Sequence, residues 1–425
     1  MWGITDRRHF MKHVATTAAL AAPAMGFLNN IHAETSKMKK GRKAVIILHM
    51  GGGASTLDLF TPLGSHPNNG QFKAISTSVS GIQLKEPMVN LAKQMKHVSL
   101  IRSLATTEGD HMRGTVLMQT GHSPNPLIAY PSMGAMLSYK FAESEGDLPG
   151  FISVGGGGGD PGFLGMRFAS FAIQNPGQPP ENIRPPQGIS TSRMVRRANI
   201  FEGLESSFKT GIAKDAVKAH TEVYDKALGL IVSKNKDVFS LDKEPSKLKE
   251  EYGANNFGRG CLMARKLVEA GAVCVNVNLG GWDNHQNIFA TLHTTTGTGR
   301  ADVLDKGFGA LIRDLADRGM LGNVAVLFNT EFSRTPRINQ NGGRDHYPRA
   351  WSIALAGGSI KGGVVHGSLD SAGEGVKDDK VTVNDVFATV YKAIGLDPAS
   401  QVRDNLGRPM PIAGEKGAPI KSLVS

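Results

Sequence analysis

The feature that most constrains this chain is a set of short, predominantly apolar runs that each end in glycine or polar residues. They cover 44–49, 98–101, 151–154, 273–277, 324–328 and 353–356. A strand with one wet face alternates apolar and polar residues, whereas a run with little alternation is buried on both faces. Helical spacing lies between the runs. Val303, Leu304, Phe308, Leu311, Ile312 and Leu315 recur at intervals of three and four, as do Phe257, Leu262, Leu267 and Val268. Thr382 opens another helix that runs through Ile394, with Gly395 as its expected C-cap. Strands alternating with helices predict an α/β fold: a mainly parallel central sheet with helices on both faces.

Composition matters at one point. Glycine contributes 52 of 425 residues with no Gly-X-Y period, so collagen is excluded. The glycines cluster at 51–53, 155–159, 280–281 and 342–343, after an expected strand or beside an Asp-His pair. Backbone must come close to something at such places. In open parallel sheets, functional groups gather in the loops leaving the carboxyl ends of the strands, so these glycines map the expected site.

Two clusters in those loops carry chemistry, Asp283-Asn284-His285 and Asp345-His346. Carboxylate plus imidazole suits a divalent ion such as Zn²⁺, Mn²⁺, Ca²⁺ or Mg²⁺. Glu331 lies between them at a strand end and would ligate the ion or orient a ligand. Taken singly, Asp283 could cap a turn and His285 could be a surface histidine. A third cluster, Asp110-His111-Met112-Arg113, stands where a helix begins. A helix N-terminus favours anions, and Arg113 could grip a phosphate, sulfate or carboxylate with two hydrogen bonds. Alternatively Asp110 is the N-cap and Arg113 is solvated. Arg334, Arg337 and Arg344 form a local basic cluster for an anionic substrate, or else counter-ions for Asp283, Glu331 and Asp345. Residues 51–53 lack the Gly-Lys-Ser/Thr ending of a phosphate loop, and Ser55 is a weak candidate nucleophile. The five glycines at 155–159 are expected to form a mobile rim.

The first 33 residues are expected to be an export leader. Arg7-Arg8, Phe10 and Lys12 precede an uncharged, alanine-rich run at 14–28, and Ile31-His32-Ala33 offers a small-residue cleavage site. The arginine pair resembles the twin-arginine signal. A basic spacer at 34–43 and a single domain at 44–425 follow, with a charged helical insertion at about 191–256. Expected location is therefore the periplasm or the exterior, reached through the twin-arginine machinery. No stable membrane span is expected in the mature chain. Net charge is +11, but no recognition motif accompanies it, so nucleic acid is not an expected partner. Outside the cytoplasm Cys261 and Cys274 could pair, but both fall on apolar faces and are expected to be buried thiols.

These motifs in this order resemble the DUF1501 family. Its marks here are the leader, 51–58, His111-Met112-Arg113-Gly114 with Thr120-Gly121-His122, Tyr130-Pro131-Ser132-Met133-Gly134, 280–285, 330–337 and 343–348. The family is similar in fold to the alkaline phosphatase-like superfamily of sulfatases and phosphatases, which implies a three-layer sandwich. That resemblance implies metal ligands at Asp283, His285, Asp345 and His346, to which Glu331 is added from its place at the strand end. It also puts His111 in the slot of the sulfatase nucleophile. No Cys, Ser or Thr occupies that slot, so His111 is expected to move a proton or bind the anion, with Arg113. The first strand ends in His49 where relatives carry a metal-binding Asp, and Asp58 is a poor substitute. The function implied is metal-assisted hydrolysis of a phosphate or sulfate ester, with Arg334 and Arg344 on the substrate. Its partner would be an anionic small molecule or a sulfated or phosphorylated glycan. The alternative is a non-catalytic binding protein for such a ligand that retains the fold.

Overall fold

Eight strands build the central sheet of this chain in a computed structural model. They are β1 (Ala44–Met50), β2 (Val98–Leu104), β3 (Phe151–Val154), β4 (Phe171–Ile173), β5 (Cys274–Asn278), β6 (Val324–Thr330), β7 (Trp351–Gly357) and β8 (Val364–His366). The structure describes residues 42–142, 148–180 and 234–424, together with 183, 187–190, 193–194, 196–197, 200 and 230–231. The leader and most of the expected helical insertion lie outside the described residues.

The sheet order is β8-β2-β7-β6-β1-β5-β3-β4. Each neighbouring pair is parallel except those of β7, which runs antiparallel to both β2 and β6. The reason is local. A parallel return needs a crossover, usually a helix. Residues 331–350, between β6 and β7, contain no helix, so the chain turns back from the edge it has just reached. The six apolar runs are all strands. Strands β4 and β8 are three residues long and lie at the sheet margins, and sequence alone did not predict them.

Helices cover both faces, as expected of an α/β sandwich. They are α1 (His111–Thr120), α2 (Met133–Lys140), α3 (Ser246–Tyr252), α4 (Asn256–Glu269), α5 (Arg300–Asp317) and α6 (Val383–Ala393). The pleat assigns their sides. Val154 and Val277 are register partners, and a Cβ on Gly260 of α4 would stand 2.8 Å from Val277. Phe151 points the other way, since strand side chains alternate, and its ring fills the space beside Gly134 of α2. So α4 and α2 sandwich the sheet. α5 packs against α4. Cys261 in α4 and Cys274 in β5 are buried and unpaired, and burial pushes both thiols up.

Caps fix where the helices begin. Asp110 accepts the backbone N–H of Arg113 at 3.0 Å to start α1, and Gly121 ends it at φ +77°. Thr382 and Asp385 cap each other's backbone to start α6. Register then aligns the carboxyl ends: His49 lies opposite both Asn278 and Asn329. The loops after β1, β5 and β6 therefore leave the sheet side by side.

Candidate metal centre

Three imidazoles reach one carboxylate oxygen where those loops meet. His285 Nε2 lies 3.0 Å from Asp283 Oδ1, and His111 Nε2 and His346 Nε2 each lie 3.4 Å from it. His285 Nε2 and His346 Nε2 are 3.1 Å apart. The loop after β5 brings Asp283 and His285. The N-terminus of α1 brings His111. A short ribbon pairing Ser333–Arg334 with His346–Tyr347 brings His346.

The other ring nitrogen of each histidine is anchored from outside. His111 Nδ1 lies 3.0 Å from Glu331 Oε1, His285 Nδ1 lies 2.8 Å from Asp345 Oδ1, and His346 Nδ1 lies 2.8 Å from the carbonyl oxygen of Gly109. A carbonyl can only accept, so His346 donates through Nδ1–H, and Nε2 of the neutral ring keeps its lone pair. Carboxylate oxygens of Glu331 and Asp345 that accept in the same way give the other two rings the same tautomer. Three lone pairs and a carboxylate oxygen then face one another, which favours a cation among them. Imidazoles oriented by carboxylates or carbonyls are the usual outer shell of a histidine metal site. Three histidines and a carboxylate are also a fitting donor set for a borderline divalent ion. His111, Asp283 and His346 form a group of potential ligand atoms lying within 4.8 Å of one another.

Buried charges hold this arrangement. Glu331 is nearly inaccessible, and its Oε1 also accepts the Gly52 N–H at 2.7 Å, while Oε2 has no partner among the described residues. The wholly buried Arg334 donates Nη2–H to Asp283 Oδ1 at 2.6 Å and Nε–H to the Gly53 carbonyl at 2.6 Å, and also bonds the Gly52 carbonyl. Burial alone would raise the Asp283 carboxyl, but the Arg334 hydrogen bond and charge, with His111 and His285 behind them, hold it below its usual range. The His285 hydrogen bond holds the Asp345 carboxyl down likewise. Asn339 donates to both Asp345 Oδ1, at 3.2 Å, and the His285 carbonyl, at 3.0 Å. The Phe332 ring packs at 5.1 Å from His111 and 4.6 Å from His346 and walls off one side. Gly52 has φ +110°, and a Cβ there would stand 2.7 Å from the Asp283 backbone nitrogen. That contact explains Gly52, and at Gly53 (φ +74°) a Cβ would stand 2.5 Å from the Phe332 ring.

The expected residues thus divide. Asp283, His285 and His346 converge, joined by His111, which sequence reading had placed as a proton carrier. Glu331 and Asp345, expected as ligands, bond the outer nitrogens of His111 and His285. Arg113 turns away from the role expected of it: its guanidinium pairs with Glu108 at 2.6 and 2.9 Å. Arg344 is likewise corrected. It is fully buried and forks onto Asp58 at 2.8 and 3.0 Å, so it is out of a substrate's reach. Asp58 is therefore a counter-ion, and Ser55 spends its hydroxyl on it at 2.6 Å. The loop at 155–159 is not a free rim, because Asn276 and Asn278 donate to its carbonyls. His49 is buried beside Glu331, and burial lowers its proton affinity against the Glu331 charge.

Two residues escaped sequence reading. Asn339 carries no signal beyond its place four residues before Gly343 in a turn. Phe332 looks like ordinary core. Arg337 had been grouped with its neighbours but differs from them. It is exposed, its guanidinium has no partner among the described residues, and it lines an open hollow of about 480 Å³ that Asp345 also lines.

Comparison with known proteins gives one family. The model described as "Protein of unknown function (DUF1501)" matches residues 42–424. No curated protein matches. Among solved structures, the PsFucS1 sulfatase from Pseudoalteromonas sp. is 15% identical, with a TM-score of 0.36, covering 88% of this chain and 71% of that one. A protein in the alkaline phosphatase superfamily from Vibrio parahaemolyticus is 13% identical, with a TM-score of 0.35, covering 89% and 71%. The C-terminal periplasmic domain of EcEptC from Escherichia coli, in complex with Zn, is 9% identical, with a TM-score of 0.36, covering 85% and 87%. At these scores the likeness carries no argument about activity, and the α/β architecture rests on the chain's own sheet.

Proposed function

This chain belongs to the DUF1501 family, and from its centre we propose that it is a metal-dependent hydrolase of phosphate or sulfate esters. One observation carries the reading: three imidazole Nε2 atoms face the Asp283 carboxylate, each with its Nδ1 anchored by an outer acceptor.

In this reading His111, His285, His346 and Asp283 hold a divalent ion. When bound, such an ion polarises an ester oxygen and lowers the pKa of a bound water. Glu331, Asp345 and the Gly109 carbonyl fix the ring tautomers. Arg334 fixes Asp283. Arg337 faces the anionic substrate across the hollow beside Asp345, a role sequence reading had given to Arg334 and Arg344. The leader at 1–33 would deliver the protein by twin-arginine export to the periplasm or beyond, where a sulfated or phosphorylated glycan is the substrate class we favour. Among the described residues, no helix is long and apolar enough to cross a membrane.

A second reading, a binding protein without turnover, is favoured by a different observation. Among the described residues, no serine, threonine or cysteine hydrogen-bonds to any of the four converging side chains.

Elemental analysis of the purified protein, paired with assays on aryl phosphate and aryl sulfate, separates the two. We expect about one divalent ion per chain, lost in His346→Ala together with turnover. Metal retained without turnover would leave the binding reading. Protein that takes up no ion would defeat the hydrolase.

A further inference from the structure

A second hollow opens at the other end of α1. Its ten residues put about 15 Å between the metal centre and this end. The hollow measures about 540 Å³, which is the size of a small-molecule site. Its walls are the turn after α1, the segment leading to α2, the first turn of α6, and residues 404–416. Nothing in the proposed hydrolysis uses it.

Its chemistry is specific. The rings of His122 and Tyr130 stack face to face, with centroids 3.9 Å apart and an 8° interplanar angle. Among the described residues, neither the His122 ring nitrogens nor the Tyr130 hydroxyl has a hydrogen-bond partner. Burial lowers the proton affinity of His122 against the pull of Glu415, so its imidazole offers one donor and one acceptor. Arg408 is tied to Asp404 at 2.9 and 2.8 Å, while Glu415 and Lys416 are exposed. These two acids and two bases cancel. At the start of α6 the Thr382 and Asp385 amides are engaged by each other's side chains.

We propose that this hollow binds a neutral, hydroxyl-rich saccharide unit. Each sugar hydroxyl is both donor and acceptor, which matches a wall that mixes imidazole, phenol, carboxylate and ammonium without net charge. The stacked His122–Tyr130 pair supplies the flat, amphipathic surface against which the C–H face of a sugar rests. A nucleotide would need positive charge that the wall lacks. The inference is independent of the metal centre.

Titration calorimetry on the full chain with cellohexaose, xylohexaose, maltohexaose and chitohexaose tests it. At least one should bind, with affinity unchanged by EDTA and lowered at least ~10-fold in Tyr130→Ala and in His122→Ala. Tyr130→Phe keeps the stack, so it should fold and retain most of the affinity even if the alanine variants fail to fold. Binding by none of the four would overturn the proposal. So would undiminished affinity in Tyr130→Ala, or tighter binding of AMP at this hollow.

Discussion

Arg334 and Arg344 are ten residues apart, and both guanidiniums are fully buried, yet they serve opposite ends. Arg344 meets Asp58, which is equally buried. Its remaining donors go to the Thr335, Pro336 and Asn68 carbonyls. That pair is closed. Arg334 meets Asp283, whose side chain is half-exposed and whose same oxygen faces three imidazoles. That pair is open, a fixed positive wall behind a surplus of acceptors. Burial and residue type are the same, so only what remains unsatisfied separates structure from chemistry.

Substitutions can break or sharpen this contrast. The largest effect should come from the closed pair. Arg344→Met leaves the buried Asp58 without its guanidinium partner, a loss of about 3–5 kcal/mol, visible as a steep fall in melting temperature. Metal content per folded chain should not change. The open region should respond the other way. Glu331→Gln should fold, yet weaken metal affinity by about 10–100-fold, read by competition with a chelating dye. Equal metal loss in both variants would erase the contrast.

A third test concerns Lys85, buried beside Asp58 and Arg344, with its ammonium donating to Asn69 and Phe72. Burial pulls its pKa down to about 8, with Asp58 opposing and Arg344 assisting. Between there and the unfolded value of about 10.4, the unfolded chain binds the extra proton, so stability rises with pH across that window. The gain should be about 1–2 kcal/mol in denaturant melts and absent in Lys85→Met. The smallest structural effect belongs to Arg337→Gln. Stability should move by less than about 0.5 kcal/mol, while affinity for an anionic ester weakens by about 3–10-fold, measured as KM or Kd. An unchanged affinity would remove Arg337 from substrate recognition.

Much of the fold was legible because two-sided burial writes itself into the chain as unalternating apolar runs. Runs 44–49 and 324–328 could scarcely be anything else. β4 and β8 were not legible, since three residues at a sheet margin are too short to show a period. Asp283, His285 and His346 stood out because imidazole and carboxylate sit beside glycine after a strand. Their division of labour did not. Whether Glu331 touches an ion or a histidine depends on which nitrogen faces it, and whether Arg344 is reachable depends on Asp58, 286 positions away. Sequence spacing carries neither fact.

The separation of the contributing segments has a consequence for assembly. His111 and the Glu331 that orients it are 220 positions apart, and His285 and His346 are 61 apart. Only Asp283 and His285 share a local stretch, so no single segment supplies the full set as it does in a zinc finger. Contacts of such long range form late. The centre therefore depends on the folded sheet, which brings these distant segments together.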